Sequence, residues 1–388
     1  MNSAEQQIVI TGSARTPMGA FQGGLSGHGA TALGSTAISA ALARSGTGPD
    51  TVQEVIMGCV LPAGLGQAPA RQAALGAGLP QSVPCATLNK VCGSGMKATM
   101  MAHDAIAAGS ADIVIAGGME SMTNAPYLLE KARGGYRMGH GQIKDHMFLD
   151  GLEDAYDKGR SMGTFAEDTA QHYQFTREAQ DQYTLESLDR ARAAISRGAF
   201  GSEIVTVGAV ADDEQPGRAK PEKIPHLRPA FRENGTVTAA TSSSISDGAA
   251  ALVVSRLSSA EATGQTPVAR ILGHASHAQE PAWFTTAPIF AIRKLLDRLG
   301  WSTGDVDLYE INEAFAVVAM AAMRDLDIPR DKLNVNGGAC ALGHPIGCSG
   351  ARIIVTLLNA LQARGLKRGI ASLCIGGGEA TAIAFELI

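Results

Sequence analysis

The sequence lacks the features that mark several large classes of protein. No apolar run is expected to cross a membrane, so no membrane partner is predicted. The N-terminal residues contain no basic segment ahead of an apolar stretch, and residues 385–388 are not a peroxisomal address. The formal net charge of −5 excludes the basic excess that a general nucleic-acid binder needs.

The sequence also lacks the patterns that hold metal ions or nucleotide phosphates. It has no Walker segment, no HExxH and no paired C-x-x-C, so no metal site is expected. Six cysteines in a long chain without a secretory signal indicate reduced thiols, and therefore a cytoplasmic protein. His274 and His277 lie three apart in a loop-like stretch, and both are expected to face solvent.

Glycine is abundant, with 46 residues gathered in short runs, and these runs help to reveal an internal repeat. An amphipathic helix ended by a glycine, an apolar run, a short segment (Cys-Gly-Ser-Gly, then Cys-Ser-Gly) and a second apolar run recur about 255 residues apart. This order predicts an α/β protein with partly parallel sheets, built from two similar halves; chance similarity is the alternative. The paired segments are 37–46 and 291–300, 52–57 and 306–311, 92–95 and 348–350, and 113–118 and 373–377.

A region of different character, roughly 121–247, separates the halves and is expected to cover a site. It contains one clear helix, which begins after Thr176 as N-cap, ends at Gly198 and buries Leu188 and Ala191 with Ile195. Its segment 217–232 is basic, which fits either an anionic ligand or a solvated loop. The basic residues of this segment are Arg218, Lys220, Lys223, Arg228 and Arg232.

Cys92 is the first candidate for chemistry. It is followed by Gly93 and Gly95 and then by helix-forming residues, which predicts a strand-to-helix turn where backbone N–H groups and the helix dipole favour a thiolate. Such a thiolate is a nucleophile with oxyanion donors beside it. One alternative is a buried structural cysteine. Another is a dinucleotide-binding fingerprint formed by Gly93, Gly95 and Ala98, with Asp112 as its acidic residue. The residues before it, 87–91, do not have the pattern of the buried strand that this fingerprint requires.

His344 and Cys374 supply the partners that acyl chemistry would need. His344 is held between Gly343 and Pro345, where it is suited to act as the general base for a thiol. Cys374 precedes three glycines at the end of a predicted strand, so its thiol is expected to be accessible. Asn312 follows another apolar run and could orient a water or donate to an oxyanion, although a helix N-cap is an equal interpretation.

Four segments of the chain together resemble the thiolase family, and the resemblance extends over essentially the whole length. It implies two βαβαβαββ halves, stacked in a five-layered α/β/α/β/α arrangement, with an inserted loop domain. The resembling segments are 89–95, 312–315, 337–347 and 374–378. The expected domains are 1–120 with about 248–260 for the first half, 121–247 for the loop domain and 261–388 for the second half.

The resemblance implies acyl transfer to and from coenzyme A (CoA), with roles assigned by position. Cys92 would take the acyl group as a thioester, and His344 would activate it and help stabilise an oxyanion. Cys374 would remove the α-proton of the second acetyl-CoA. Asn312 would hold the water of one oxyanion hole, and the backbone N–H groups of Cys92 and Gly376 would form the other.

The resemblance also implies contacts along coenzyme A, which would be a substrate component and not a permanently bound cofactor. Arg218 would contact its nucleotide end. Two departures from the family pattern concern this part of the site: Ser161 stands where acetoacetyl-CoA-forming members usually carry histidine, and the 238–244 loop has lost two glycines and an asparagine. The residues expected along the pantetheine are Leu152, Met162, Phe231, Ser243 and Phe315.

The expected reaction is the condensation of two acetyl-CoA to acetoacetyl-CoA, and its reversal by thiolysis. A broad-chain 3-ketoacyl-CoA thiolase of fatty-acid β-oxidation is the alternative within the class. A non-catalytic acyl-CoA-binding relative would be expected to lack Cys92 or His344. Cys374 ahead of Gly376 argues against the ketoacyl-carrier-protein synthases, which use one cysteine and two histidines. The resemblance further implies a homo-oligomer, either a dimer or a tetramer.

Overall fold

Two half-sheets with the same strand order form the frame of the structure, a computed structural model that describes residues 7–388. These residues form twelve strands and eleven α-helices. The strands are β1 (Ile8–Arg15), β2 (Gly19–Ala20), β3 (Glu54–Gly58), β4 (Cys85–Leu88), β5 (Ile113–Ser121), β6 (Tyr127–Leu129), β7 (Ile143–Asp145), β8 (Ser246–Arg256), β9 (Ala269–Ala278), β10 (Leu308–Ile311), β11 (Arg368–Ile375) and β12 (Glu379–Leu387). The helices are α1 (Ala30–Ser45), α2 (Pro69–Gly76), α3 (Ser94–Ala107), α4 (Gly163–Tyr173), α5 (Arg177–Ser196), α6 (Glu214–Arg218), α7 (Leu257–Ala262), α8 (Ala287–Leu299), α9 (Ala316–Leu326), α10 (Ala339–Leu342) and α11 (Ile346–Arg364).

The strand order is β4-β3-β5-β8-β1 in the first half and β10-β11-β12-β9 in the second. In each half a parallel pair, β3 with β5 or β10 with β11, is followed by antiparallel neighbours. The halves join through β1 and β9, which pair at two positions only, Val9 with Arg270 and Ile10 with Ala269. The matching order and directions confirm the predicted duplication.

Five layers result, with three buried apolar clusters between them, the middle one lying on both faces of the central helix layer. Helices α1 and α2 cover the outer face of the first half-sheet, and α8 and α9 cover that of the second. Helices α3 and α11 pack against each other between the half-sheets. This is the predicted α/β/α/β/α arrangement, and it places the N-termini of both central helices side by side.

Helix boundaries follow the capping signals in the sequence. Helices α1 and α8 end at Gly46 (φ 67°) and Gly300 (φ 65°), whose left-handed conformation favours glycine. Helix α5 begins after Thr176, whose hydroxyl accepts the N–H of Ala179 at 3.2 Å, so the helix predicted there is confirmed.

The halves differ at the third strand. The first half has β4, whereas the second has only one parallel bridge at that point, between Tyr309 and Leu333. The amide side chain of Asn334 takes the place of a neighbouring strand, because it accepts the N–H of Ile311 and donates to its carbonyl, both at 2.9 Å. The second βαβαβαββ unit is therefore incomplete by one extended strand.

Helix α11 is long and apolar enough, by length and composition alone, to cross a membrane. The sequence predicted no such segment, because Arg352, Thr356 and Asn359 interrupt its apolar residues. In the fold, 83 % of its most apolar window is buried between the half-sheets, which makes it a core helix. The domain boundaries proposed above stay a prediction.

Candidate active site

A cavity of ≈ 310 Å³ opens beside the N-termini of the two central helices. Most of its walls are apolar, and residues 149–158 of the inserted region form one side. Four of the predicted site residues do not line it: Cys374, Asn312, Phe231 and Arg218. Those that do line it are Cys92, Leu152, Met162, Ser243, Phe315, His344 and Gly376.

Cys92 lies in a strained turn between β4 and α3. Val91, directly before it, has φ 46°, a left-handed conformation that is costly for a β-branched residue. Two side chains hold the turn: Asn89 Oδ1 accepts the N–H of Val91 at 2.9 Å, and Ser94 Oγ donates to the Val91 carbonyl at 2.7 Å. Ser94 Oγ also accepts the N–H of Lys90 at 2.8 Å. The sequence predicted the turn but gave no sign of this strain.

Burial determines the protonation of Cys92. Burial raises the pKa of its thiol to about 11, although the backbone N–H groups of Gly376 and of Cys92 itself act in the opposite direction. The expectation that the turn favours a thiolate is therefore wrong for the free protein, because desolvation outweighs the N–H groups. At neutral pH the group is a thiol and needs a base to become a nucleophile.

His344 is the candidate for that base, and its hydrogen bonds indicate which ring nitrogen is free. Its Nδ1 lies 2.5 Å from Ser349 Oγ, and this hydroxyl donates its only hydrogen to the Pro345 carbonyl at 2.9 Å. With the hydroxyl hydrogen so placed, Nδ1 is assigned the ring hydrogen, which leaves the lone pair on Nε2, 3.5 Å from Asn312 Nδ2. Burial, followed by the positive charge of Arg352, lowers the pKa of His344 to about 3, so the ring is neutral.

Cys374 is fully buried at the end of β11, so the expectation of an accessible thiol is wrong. The strand does not end in open backbone, because Cys374 pairs with Ala380 across the turn into β12. Burial raises the pKa of its thiol, and the neighbouring sulfur of Cys92 raises it further. The two sulfurs are thus close enough to affect each other's charge.

Asn312 follows β10, and its backbone N–H donates to the Ser372 carbonyl at 3.0 Å. Its Oδ1 is buried and makes no hydrogen bond to any atom of residues 7–388. The next residue, Glu313, is also buried and accepts hydrogen bonds from Tyr183 (2.8 Å) and Ser187 (2.8 Å) of α5. Glu313 thereby ties the inserted region to the segment that carries Asn312.

Glu120 is a site-forming residue that the sequence reading missed. Its buried carboxylate accepts the N–H groups of Val60 (2.9 Å), Leu61 (3.0 Å) and Gly347 (2.9 Å). It therefore joins a loop of the first half to the turn after His344, in the second half. The sequence did contain one sign of this role, because Glu120 is an acidic residue inside the otherwise apolar strand β5.

The expected CoA contacts fall into two groups. Phe231 packs edge to face on Phe315, with ring centroids 5.9 Å apart, so it supports the cavity wall without lining it. Arg218 lines a second cavity of ≈ 330 Å³ together with Lys220 and Lys223, and it pairs with Glu214 at 2.9 Å.

The two departures from the family pattern are also visible. Ser161 lies outside the lining of the first cavity. The 238–244 loop is braced by its own hydroxyls: Thr238 N–H donates to Thr241 Oγ1 at 2.8 Å, and Ser242 Oγ donates to the Thr238 carbonyl at 2.7 Å. The loop is also joined to the base, since its Ser244 carbonyl accepts the N–H of His344 at 3.1 Å.

The histidine pair of the second half does not lie in a loop. His274 and His277 are both on β9, where His274 Nε2 lies 2.8 Å from Asp104 Oδ1 and His277 Nε2 lies 3.0 Å from Gln279 Oε1. The expectation that both simply face solvent is therefore wrong, because the strand directs His274 toward α3.

Comparisons with known proteins agree with this geometry. Residues 8–258 match the family model "Thiolase, N-terminal domain", and residues 265–387 match "Thiolase, C-terminal domain". Acetyl-CoA acetyltransferase 2 of Arabidopsis thaliana is 52% identical over 99% of this chain and 98% of its own. Acetyl-CoA acetyltransferase of Escherichia coli strain K12 is 50% identical over 98% of this chain and 99% of its own. The crystal structure of Acat5 thiolase from Ascaris suum in complex with coenzyme A superimposes with a TM-score of 0.95 at 42% identity, covering 98% of this chain and 100% of that one.

Proposed function

The chain belongs to the thiolase family, and on that basis we propose that it is a CoA-dependent acyltransferase. It condenses two acetyl-CoA to acetoacetyl-CoA and CoA, and it catalyses the reverse thiolysis. Relatives that are about half identical over nearly the full length bear the name acetyl-CoA acetyltransferase. The observation that carries the proposal is that Cys92 and His344, from the corresponding turns of the two halves, line one cavity.

In the proposed first transfer, the Cys92 sulfur attacks the carbonyl of acetyl-CoA while its proton passes to His344 Nε2. The proton then goes to the departing CoA sulfur, so a new carbon–sulfur bond forms as the old one breaks. The neutral His344 and the protonated Cys92 fit a transfer in which proton movement accompanies attack. The N–H groups of Cys92 and Gly376, both directed at the Cys92 sulfur, would stabilise the negative charge on a carbonyl oxygen there.

In the proposed second transfer, the Cys374 sulfur takes an α-proton from a second acetyl-CoA. The resulting carbanion attacks the acetyl group on Cys92, and the proton passes from Cys374 to the departing Cys92 sulfur. Cys374 must enter this step as a thiolate, so it gives its own proton to water beforehand and regains one afterwards. Burial opposes this loss, because it raises the pKa of the thiol. A water bonded to the buried Asn312 Oδ1 would support the oxygen that becomes negative.

The proposal places coenzyme A along both cavities. Leu152, Met162 and Phe315 offer apolar contact to the pantetheine in the first cavity, with Ser243 at its edge. The second cavity would receive the phosphate-bearing end, since it presents Lys220 and Lys223 as well as Arg218. The related Ascaris suum structure was determined in complex with coenzyme A. No permanently bound cofactor is part of the proposal.

A homo-oligomer, dimer or tetramer, is also part of the proposal. The hairpin of β6 and β7 exposes an unusual amount of apolar surface, including Tyr127, Ile143 and the nearly fully exposed Met138. Strand β4, at the end of its half-sheet, adds an unpaired edge. A cytoplasmic location is proposed on the six free cysteines, which suit a reducing compartment.

The decisive experiment is CoA-dependent thiolysis of a series of 3-ketoacyl-CoA substrates, beginning with acetoacetyl-CoA. Activity confined to the four-carbon substrate is the expected result. Activity that rises with chain length would replace this proposal with a broad-chain thiolase. A protein that binds acyl-CoA without turning over any member of the series would be a non-catalytic relative.

A further inference from the structure

Three metal-binding side chains meet on the surface where the two halves join. His103 and Asp104 lie in the second half of helix α3, and His274 lies on strand β9. The group therefore connects the central helix of the first half with the sheet of the second. None of these residues lines the candidate active-site cavity.

The spacing of the ligand atoms fits a coordination shell. His274 Nε2 and His103 Nδ1 lie 2.8 Å and 3.1 Å from the same oxygen, Asp104 Oδ1, and all three atoms lie within 4.8 Å of one another. Zinc bonds of about 2.0–2.2 Å at tetrahedral angles place neighbouring ligand atoms about 3.3–3.6 Å apart, so each imidazole nitrogen would move away from Asp104 Oδ1 by about 0.2–0.8 Å to admit an ion. The imidazole planes cross at 89° with centroids 5.1 Å apart, so the rings meet edge to face and do not stack.

The surroundings hold the two imidazoles in place. The side chains of His103 and His274 are only 20% and 17% exposed, whereas Asp104 is 54% exposed, which leaves one side open for water ligands. His274 is fixed by the sheet through its pairing with Ile383, and its carbonyl accepts a hydrogen bond from Arg298 at 2.8 Å. Two imidazoles and a carboxylate favour zinc and its first-row neighbours, because calcium and magnesium prefer sites made of oxygen alone.

We propose that His103, Asp104 and His274 bind one divalent transition-metal ion, with Zn²⁺ as the reference ion. The ion fastens α3 to β9. Because Cys92 lies just before the start of α3, this connection stabilises the helix that follows the nucleophile turn. The inference is independent of the proposed acyl transfer, since the three residues take no part in it.

The test uses the full chain without an affinity tag, with its reactive thiols alkylated so that sulfur cannot act as a ligand. After treatment with a chelator, the protein is titrated with ZnCl₂ by calorimetry, and the thermal midpoint is measured with and without the ion. His103→Gln and His274→Gln remove one ligand each. His277→Gln is the matched control, because His277 lies on the same strand but bonds Gln279. Cobalt spectra of the alkylated protein report whether nitrogen and oxygen ligands alone surround the ion.

The expected result is one Zn²⁺ per chain, at least tenfold weaker binding in His103→Gln and His274→Gln, and unchanged binding in His277→Gln. The zinc-dependent rise of the thermal midpoint should disappear in the same two variants. Thiolysis by unalkylated His274→Gln should match the parent, which shows that the variant folds. Equal binding by all variants, binding that vanishes on thiol alkylation, or no binding by the parent would each overturn the proposal and leave only a hydrogen-bonded His–Asp–His cluster.

Discussion

The two halves of the molecule place a turn at the same point, immediately before each central helix, but fill it with different chemistry. In the first half the turn carries the strained Val91 and the thiol of Cys92. In the second it carries Gly343 (φ 105°) and His344, followed by Pro345 as the N-cap of α11. Because α3 and α11 pack side by side, both turns open into one cavity. Duplication thus supplies two comparable turns, and the proposed nucleophile and base occupy one each.

The same comparison extends to a pair of buried serines. Ser94 and Ser349 are separated by 255 residues, close to the period of the repeat, and each donates to a carbonyl of its own turn. Ser94 also accepts the N–H of Lys90, which fixes the backbone around Cys92. Ser349 accepts from His344 Nδ1, which fixes the side chain of the base. The serine of the first half therefore holds the backbone around Cys92, whereas the serine of the second half selects the tautomer of His344.

Removing the thiol of Cys92, in the first half, should have the largest effect on activity. Cys92→Ala is expected to lose thiolysis by several orders of magnitude, at least about 10⁴-fold, because no other group can take the acyl chain. Cys348→Ala is the matched control: it removes the cysteine aligned with Cys92 in the repeat, which is buried within α11. Steady-state kinetics and mass spectrometry of the acetyl-enzyme measure both. Near-normal turnover by Cys92→Ala would remove Cys92 from the mechanism.

Removing the thiol of Cys374, in the second half, should affect the second transfer but not the first. Cys374→Ala is expected to exchange labelled CoA into acetyl-CoA at a near-normal rate, because that step uses Cys92 and His344. Condensation should fall by about 10²–10⁴-fold, the usual contribution of a positioned acid or base. Parallel exchange and condensation assays check this. If both rates fell together, Cys374 would be needed for the structure or for the first transfer as well.

The order of elements could be predicted from the sequence because its signals are local. Gly46 and Gly300 end their helices, and Thr176 caps α5, through contacts a few residues apart. The duplication was visible because the same local signals recur. Cys92 and His344 were found because glycine-rich turns beside reactive side chains are uncommon.

The features that the sequence did not predict depend on contacts between distant residues. Glu120 and Gly347 are 227 residues apart, so no local pattern joins them. The side chain of Asn334 forms the hydrogen bonds that a neighbouring strand would otherwise form. Hydrophobic periodicity gives no sign of this, because it predicts only that Asn334 lies in a loop. The protonation of Cys92 required its burial to be known, because helix polarity alone suggests a thiolate whereas desolvation decides the outcome.

Acid should act on the second-half turn through its buried histidine. The folded pKa of His344 is lowered to about 3 from 6.5, so its contribution to stability is present above pH 6.5 and is lost as the pH falls toward 3. At pH 5 the loss amounts to about 2 kcal/mol. Denaturant unfolding at pH 7 and pH 5 measures it. In His344→Gln the decrease between the two pH values should be smaller by that amount, and an equal decrease in both proteins would show that His344 is not buried as a neutral ring.

The smallest effect is expected from the serine that selects the tautomer. Ser349→Ala removes the acceptor of His344 Nδ1–H, so the ring can carry its hydrogen on Nε2 and then cannot take a proton from Cys92. One hydrogen bond of about 1.4 kcal/mol corresponds to a roughly tenfold decrease in kcat, with little change in KM. Ser349→Thr keeps the hydroxyl and should restore kcat, which a purely steric role would not explain.

Ser94→Ala is the first-half counterpart: it should lower the free energy of unfolding by releasing the Val91 turn, whereas Ser349→Ala should act mainly on kcat. Equal changes of kcat and stability in the two variants would show that both serines only brace backbone.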